Sequence, residues 1–133
     1  MISKFVFINL PSKNVAAARE FYVKLGFDIN KLYSTEQNVF INIAQNVQLV
    51  IGSEDFFKMI GEHREFADAS KVTEASVSMS VNSRKEVDEL FDKAIAAGAK
   101  PFGDVVEEKE IGLYARAFSD LDNHKIDINY MPA

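Results

Sequence analysis

The side chains with chemistry to offer gather in two parts of the chain. Toward its end, Tyr114, Arg116 and Asp127 flank a short polar stretch, Ser119-Asp120-Leu121-Asp122-Asn123. An arginine on a strand clamps a carboxylate or phosphate through two parallel hydrogen bonds, or pairs with a nearby aspartate. Asp127 is either a solvated carboxylate or the floor of a site. Toward the start, Asn9, Asn42 and Gln48 are uncharged amides in otherwise apolar segments, with Phe7 two residues before Asn9. Each amide either hydrogen-bonds a neighbouring strand or water, as buried polar groups ordinarily do, or grips a ligand. His124 opens the last strand pattern and His63 lies in a charged stretch, positions that suit structural or solvated groups. Ser76, Ser78 and Ser80 have no histidine at a fixed sequence relation, so no nucleophile triad is legible.

Composition narrows the classes. The chain has 133 residues, 47% hydrophobic and 26% charged, with a formal net charge of −5 and no cysteine. That length supports one domain with a substantial core. Without cysteine there is no disulfide framework, thiolate zinc site or cysteine nucleophile. A net negative charge argues against nucleic acid as a partner, because neutralising phosphates needs a basic face. No apolar run approaches the 18 or so residues of a membrane span. Met1-Ile-Ser-Lys-Phe-Val-Phe runs into a strand pattern with no signal-peptide architecture, which predicts a cytoplasmic protein.

The elements that must position these groups follow from periodicity. An apolar run over 4–10 ends at Pro11. Asn14 then caps a helix whose Ala18, Phe21, Tyr22 and Leu25 form one stripe, stopped by Gly26. Strands are predicted over 27–34, 38–44 and 47–51, the last two joined by the tight turn Gln45-Asn46. A short helix capped by Ser53 carries Phe56 and Phe57, which pack into the core, over the sheet or into an interface. Residues 63–73 are polar and irregular and read as a connector. The scheme then repeats: a strand over 75–81, a capping box Ser83-Arg84-Lys85-Glu86, a stripe of Val87, Leu90, Phe91 and Ala94, and Gly98. Strands are predicted over 100–106, 113–118 and 124–131. In the last of these Lys125, Asp127 and Asn129 alternate with Ile126, Ile128 and Tyr130, placing the two sets on opposite faces.

A shift of 69 residues carries Asn14 onto Ser83, Ala18 onto Val87, Phe21 onto Leu90, Tyr22 onto Phe91 and Leu25 onto Ala94. The chain is therefore a duplicated β-α-β-β-β unit. The predicted class is α+β, one domain of two modules, about 1–62 and 74–133, forming a cupped mixed sheet with the helices outside. Counted outward from the 119–123 turn, Arg116 and Asp127 fall nearly opposite each other and are expected to pair on one face.

Phe7-Ile-Asn-Leu-Pro-Ser-Lys-Asn-Val, then Ala-Arg-Glu-Phe-Tyr and Leu-Gly-Phe, resembles the opening of the glyoxalase/bleomycin-resistance/extradiol-dioxygenase (vicinal oxygen chelate) proteins, closest to the glyoxalase-like branch. Ala97-Gly-Ala-Lys and Phe118-Ser-Asp-Leu-Asp-Asn-His match that family's second module, and the resemblance spans nearly the whole chain. It implies paired modules, a homodimer and a cup that holds a metal or a ligand. Metal-binding members place His or Gln, Glu, His and Glu on four strands; the corresponding positions here are Phe7, about Val50, Ser76 and Asp127. Of these only Asp127 has a side chain able to coordinate a divalent ion, and such a site needs about three protein ligands. Leu121 and Asn123 replace the proline and glycine usual in the closing turn.

The preferred expectation is a metal-independent small-molecule binding protein with no cofactor, its ligand met by Phe7, Asn9, Asn42, Gln48, Tyr114, Arg116 and Asp127. The alternative is a glyoxalase-like lyase or isomerase with a degenerate metal site drawing on Asp127, Gln48 and His124.

Overall fold

Both long helices begin at the predicted caps. Asn14 accepts a hydrogen bond from the Ala17 backbone N–H at the head of α1 (Val15–Lys24), and Ser83 accepts from Glu86 at the head of α3 (Arg84–Ala96). Each cap satisfies a donor that the first helical turn leaves open. The carboxylate of Glu86 reaches back to the backbone N–H of Asn82 at 2.6 Å, one residue earlier than a standard capping box. Between these helices lies α2 (Glu54–Met59), capped by Ser53 as expected.

The computed structural model describes residues 1–132 and divides the chain into two compact units, Met1–Ala67 and Asp68–Ala133. The division falls inside the predicted 63–73 connector. The first unit contains β1 (Val6–Pro11), β2 (Asp28–Ile29), β3 (Asn38–Ala44) and β4 (Val47–Gly52) in the spatial order β1-β4-β3-β2. The second contains β5 (Ser76–Ser80), β6 (Lys100–Pro101), β7 (Val106–Glu108), β8 (Leu113–Ser119) and β9 (Lys125–Tyr130) in the order β5-β9-β8-β6, with β7 also on β8. In each unit the first strand runs parallel to the last, and the last pairs antiparallel with its predecessor. The α+β class and the duplication are both realised, as two mixed sheets.

Each sheet has one face turned to its helix. In the first unit Leu10 pairs with Ile51, Val39 with Ile51 and Ile41 with Leu49, all buried together with Phe21 and Tyr22 of α1. In the second, Phe118 pairs with Ile126, and Ile126 and Ile128 lie beneath Val87, Phe91 and Ala94 of α3. Each such side chain, fully buried, contributes roughly 1.5–3 kcal/mol, which makes the helix-facing layer the main stabiliser of each unit. Phe57 is buried against Phe56 and Phe66, and a Cβ on Gly52 would stand 2.8 Å from the Phe56 ring. Glycine at 52 lets α2 close onto the end of β4, so Phe57 packs into the core with Phe56 half-buried beside it.

Two predicted strands are shorter than the sequence suggests. The 27–34 segment keeps only β2, because Asn30 Oδ1 accepts from the N–H groups of Leu32 and Tyr33 and turns the chain. The 100–106 segment breaks into β6 and β7 around Gly103, whose φ of 70° bends it.

Candidate functional site

The face of the first sheet opposite α1 carries the predicted amides. Strand alternation sets Phe7, Asn9, Phe40, Asn42, Gln48 and Val50 together on that side, with Phe7 across from Gln48, Asn42 across from Gln48, and Asn9 and Phe40 both across from Val50. Gln48 Nε2 donates to Asn42 Oδ1 at 2.9 Å. Gln48 is 8% exposed and its Oε1 is buried without a hydrogen-bond partner. Aromatic rings stand over it. Phe7 on β1 and Phe40 on β3 flank β4, yet their rings meet edge to face with centroids 6.0 Å apart. Phe5 stacks on Phe7 at 6.2 Å and Tyr33 tilts onto Phe40 at 5.8 Å, which extends the row at both ends.

The corresponding face of the second sheet is charged and hollow. Ser76 lies across from Lys125, Ser78 and Ala117 across from Asp127, and Ser80 and Ala115 across from Asn129. Ser80 donates to Asn129 Oδ1 at 2.7 Å, and Asn129 Nδ2 donates to Asp127 Oδ2 at 3.2 Å. The Lys125 ammonium lies over the Phe102 ring at 5.2 Å. Residues lining a recess of about 250 Å³ include the charged Asp104, Arg116, Lys125 and Asp127 and the apolar Phe102 and Val106. Asp127 thus lines a recess on the sheet face opposite α3.

The expected pairing of Arg116 with Asp127 does not form. β8 runs through Ser119, which pairs with Lys125, so Ala117 stands across from Asp127 and Arg116 across from Ile128. One residue of register moves a side chain to the other face. Arg116 instead stacks on Phe91 of α3 at 3.7 Å and donates to Asp88 Oδ1 at 3.1 Å. Tyr114 joins it there: its hydroxyl donates to the same oxygen at 2.8 Å, and Arg84 lies 5.0 Å above its ring. That hydrogen bond to Asp88, with burial second, raises the Tyr114 pKa above the ordinary tyrosine value. Tyr114 and Arg116 therefore brace α3 against its sheet, on the opposite side from Asp127.

In the closing turn Asp120 Oδ1 accepts from the N–H groups of Asp122 and His124, and Asn123 takes a left-handed φ of 67° where the family uses glycine. His124 is buried in that turn, and His63 is exposed. Reading the chain for site residues missed Asp88, hidden in a helix with no strand pattern to flag it, and Phe102, which lies in a bend. Lys125 and Asn129 carried a usable signal in their alternation with Asp127.

Whether these residues suit the metal of the resembling family is decided by their chemistry. Phe7 and Val50 have no donor atom, Ser76 has a neutral hydroxyl, and Asp127 alone offers a carboxylate. Among the described residues no three His, Cys, Asp or Glu side chains converge as a metal-binding group. This donor set does not fit a divalent-ion centre.

Fold and faces together define a duplicated β-α-β-β-β protein, each unit with one sheet face on its helix and the other bearing polar and aromatic groups. No protein-family model matches the chain, and no curated protein matches it. Solved structures do. A glyoxalase/bleomycin resistance protein/dioxygenase family enzyme from Burkholderia phytofirmans is similar with a TM-score of 0.76, 17% identity, and 95% of this chain and 97% of that one covered. A hypothetical protein from S. aureus is 27% identical with a TM-score of 0.75, covering 100% of this chain and 95% of its own. A lactoylglutathione lyase from Agrobacterium tumefaciens gives a TM-score of 0.71 at 17% identity, with 97% and 94% covered. The chain has the fold of the glyoxalase/bleomycin resistance/dioxygenase proteins, as the resemblance in its sequence implied.

Proposed function

We propose that this chain binds a small organic molecule without the help of a metal, in the recess of its second unit. The observation that carries the reading is the recess itself, about 250 Å³, with Asp127 and Lys125 on one strand face, Asp104 and Arg116 at its walls, and Phe102, Val106, Ala115 and Ala117 between them. Few polar groups at fixed positions inside an apolar hollow are the usual make-up of a small-molecule site. Asp127 accepts from Asn129 and has lone pairs left for a donor on the ligand. Lys125, two residues away, forms no ion pair with Asp127 among the described residues and offers its ammonium to an anionic group. Phe102 and Val106 supply the apolar contact.

The test is native mass spectrometry of purified protein alongside elemental analysis after metal-supplemented expression. A bound organic molecule lost in Asp127→Asn, with well under one Ni, Zn, Mn or Fe per chain, supports the reading. A tightly held metal equivalent lost in Asp127→Ala overturns it in favour of a glyoxalase-like lyase. Cytoplasmic residence and homodimerisation belong to the same proposal. No described helix is long and apolar enough to cross a membrane, and light scattering that finds only monomers counts against the dimer.

A further inference from the structure

A separate site is built into the first unit, and we infer that it takes a flat aromatic ring bearing an N–H donor, seated against Phe7 and Phe40 and hydrogen-bonded to Gln48. Three observations converge on it. Gln48 Oε1 is a strong acceptor, buried and without a partner, while the amide nitrogen of the same side chain is committed to Asn42. Buried polar atoms in folded proteins nearly always have a partner, so an unmade bond of this kind marks a place where a donor belongs. A water is a poor substitute, because it needs two to four polar neighbours and the residues beside Gln48 on this face offer Asn42 and otherwise Phe7 and Val50.

The second observation is the roof. Phe7 and Phe40 come from strands on either side of β4, and their edge-to-face contact at 6.0 Å closes over the middle strand. Val50, beside Gln48 on the same face, is only 1% exposed, whereas Phe7 is 45% exposed and Tyr33 55%. Exposed rings of this kind change rotamer on the ps–ns scale. A planar ligand entering between them replaces one aromatic contact by two, at the centroid spacings of about 4.5–7 Å that ring pairs favour.

The third observation is charge. Phe7, Phe40, Asn42, Gln48 and Val50 carry none, so the centre of the face selects for a neutral flat molecule rather than an ion. This inference does not rest on the second-unit recess, since all its residues lie between 7 and 50.

The experiment is an NMR titration of the full chain with three probes: benzamide, which has ring and donor; N,N-dimethylbenzamide, which has the ring alone; and cyclohexanecarboxamide, which has the donor alone. Benzamide is expected to shift the backbone amides of Phe7, Phe40 and Gln48, to bind roughly tenfold more tightly than N,N-dimethylbenzamide, the worth of one good hydrogen bond, and to bind more tightly than cyclohexanecarboxamide, which lacks the ring. Gln48→Met should erase the preference over N,N-dimethylbenzamide and leave the affinity of that probe unchanged, whereas Gln48→Glu, which keeps acceptor oxygens, should retain it. Ala117→Phe, which fills the other unit's recess, should leave all three affinities as they were. Equal affinity for the three probes, shifts confined to other residues, or a preference over N,N-dimethylbenzamide that survives Gln48→Met overturns the site.

Discussion

The two units repeat one topology and diverge on one face. Register makes the comparison residue by residue: Phe7 faces Gln48 in the first unit as Ser76 faces Lys125 in the second, and Asn9 faces Val50 as Ser78 faces Asp127. On the next strand, Phe40 across from Val50 corresponds to Ala117 across from Asp127. A phenylalanine in the first unit roofs the face over, and an alanine in the second leaves it hollow. Where the first unit has amides and rings, the second has an ammonium, a carboxylate and hydroxyls. The buried centres of the helix-facing layers, by contrast, stay apolar in both. A duplicated sheet keeps the side that stabilises it and frees the other to change, so the face that differs between copies is the one to search for binding.

The helix side varies in one respect. The 69-residue shift carries Arg19 of α1 onto Asp88 of α3, a reversal of charge. Arg19 donates to the backbone carbonyls of Thr35 and Asn38, the second at 3.0 Å, and so pins the loop before β3. Asp88 accepts from Tyr114 and Arg116 and ties the helix to β8. Each unit uses the same helical position to fasten a different neighbour.

The largest effect should come from the layer the units share. Ile51→Ala and Ile128→Ala occupy matching places, across from Leu10 and Met79, and both side chains are fully buried. Each should cost about 2–5 kcal/mol in chemical denaturation. A loss in only one of them would break the equivalence of the two cores.

Next in size is an exchange of the diverged faces. Ala117→Phe places in the second unit the ring that Phe40 supplies in the first, and should abolish binding in the recess while changing stability by no more than about 1–3 kcal/mol. Native mass spectrometry reads the first and denaturation the second. Retained binding would mean that the hollow is not the site.

Asp88→Ala comes third. It leaves Arg116 and the Tyr114 hydroxyl without their shared acceptor. Arg116 is about a quarter exposed and Asp88 closer to half, so solvent recovers part of the loss and the expected cost is about 1–2 kcal/mol. A wild-type melting curve would show that the bridge contributes nothing.

How much of this was legible follows from which features depend on local sequence. The caps Asn14 and Ser83, the stripes behind them and the duplication are statements about residues a few positions apart, and periodicity holds them. Strand ends depend on side-chain turns such as that of Asn30, which cut β2 to two residues. The pairing of Arg116 turned on whether Ser119 belongs to the turn or to β8; extending the strand by that one residue sends Arg116 to α3 and leaves Asp127 facing the recess. The predicted group of Phe7, Asn9, Asn42 and Gln48 falls on one face because it depends only on alternation. The roof over Gln48 was not legible, since it needs β1 and β3 placed on either side of β4, a fact of topology that no spacing encodes.

The smallest effect concerns the one tyrosine bridged to Asp88. Tyr114 donates to Asp88 in the second unit, while Tyr33 in the first leans on Phe40 with its ring 55% exposed. Ionising Tyr114 removes the proton that Asp88 accepts and sets two negative groups side by side, so the folded chain holds that proton to higher pH than the unfolded chain does. The sign follows. A group whose folded pKa is raised contributes its full stability below the unfolded value and loses it as pH rises through the folded one, so the bridge weakens only in alkali, above the ordinary tyrosine range near pH 10. Ultraviolet titration of phenolate absorbance should therefore show a component above the ordinary tyrosine range that Tyr114→Phe removes, and Asp88→Asn should shift that component to lower pH. If Tyr114→Phe removes a component that titrates with the others, the hydroxyl is solvated and the link between α3 and β8 rests on Arg116 alone.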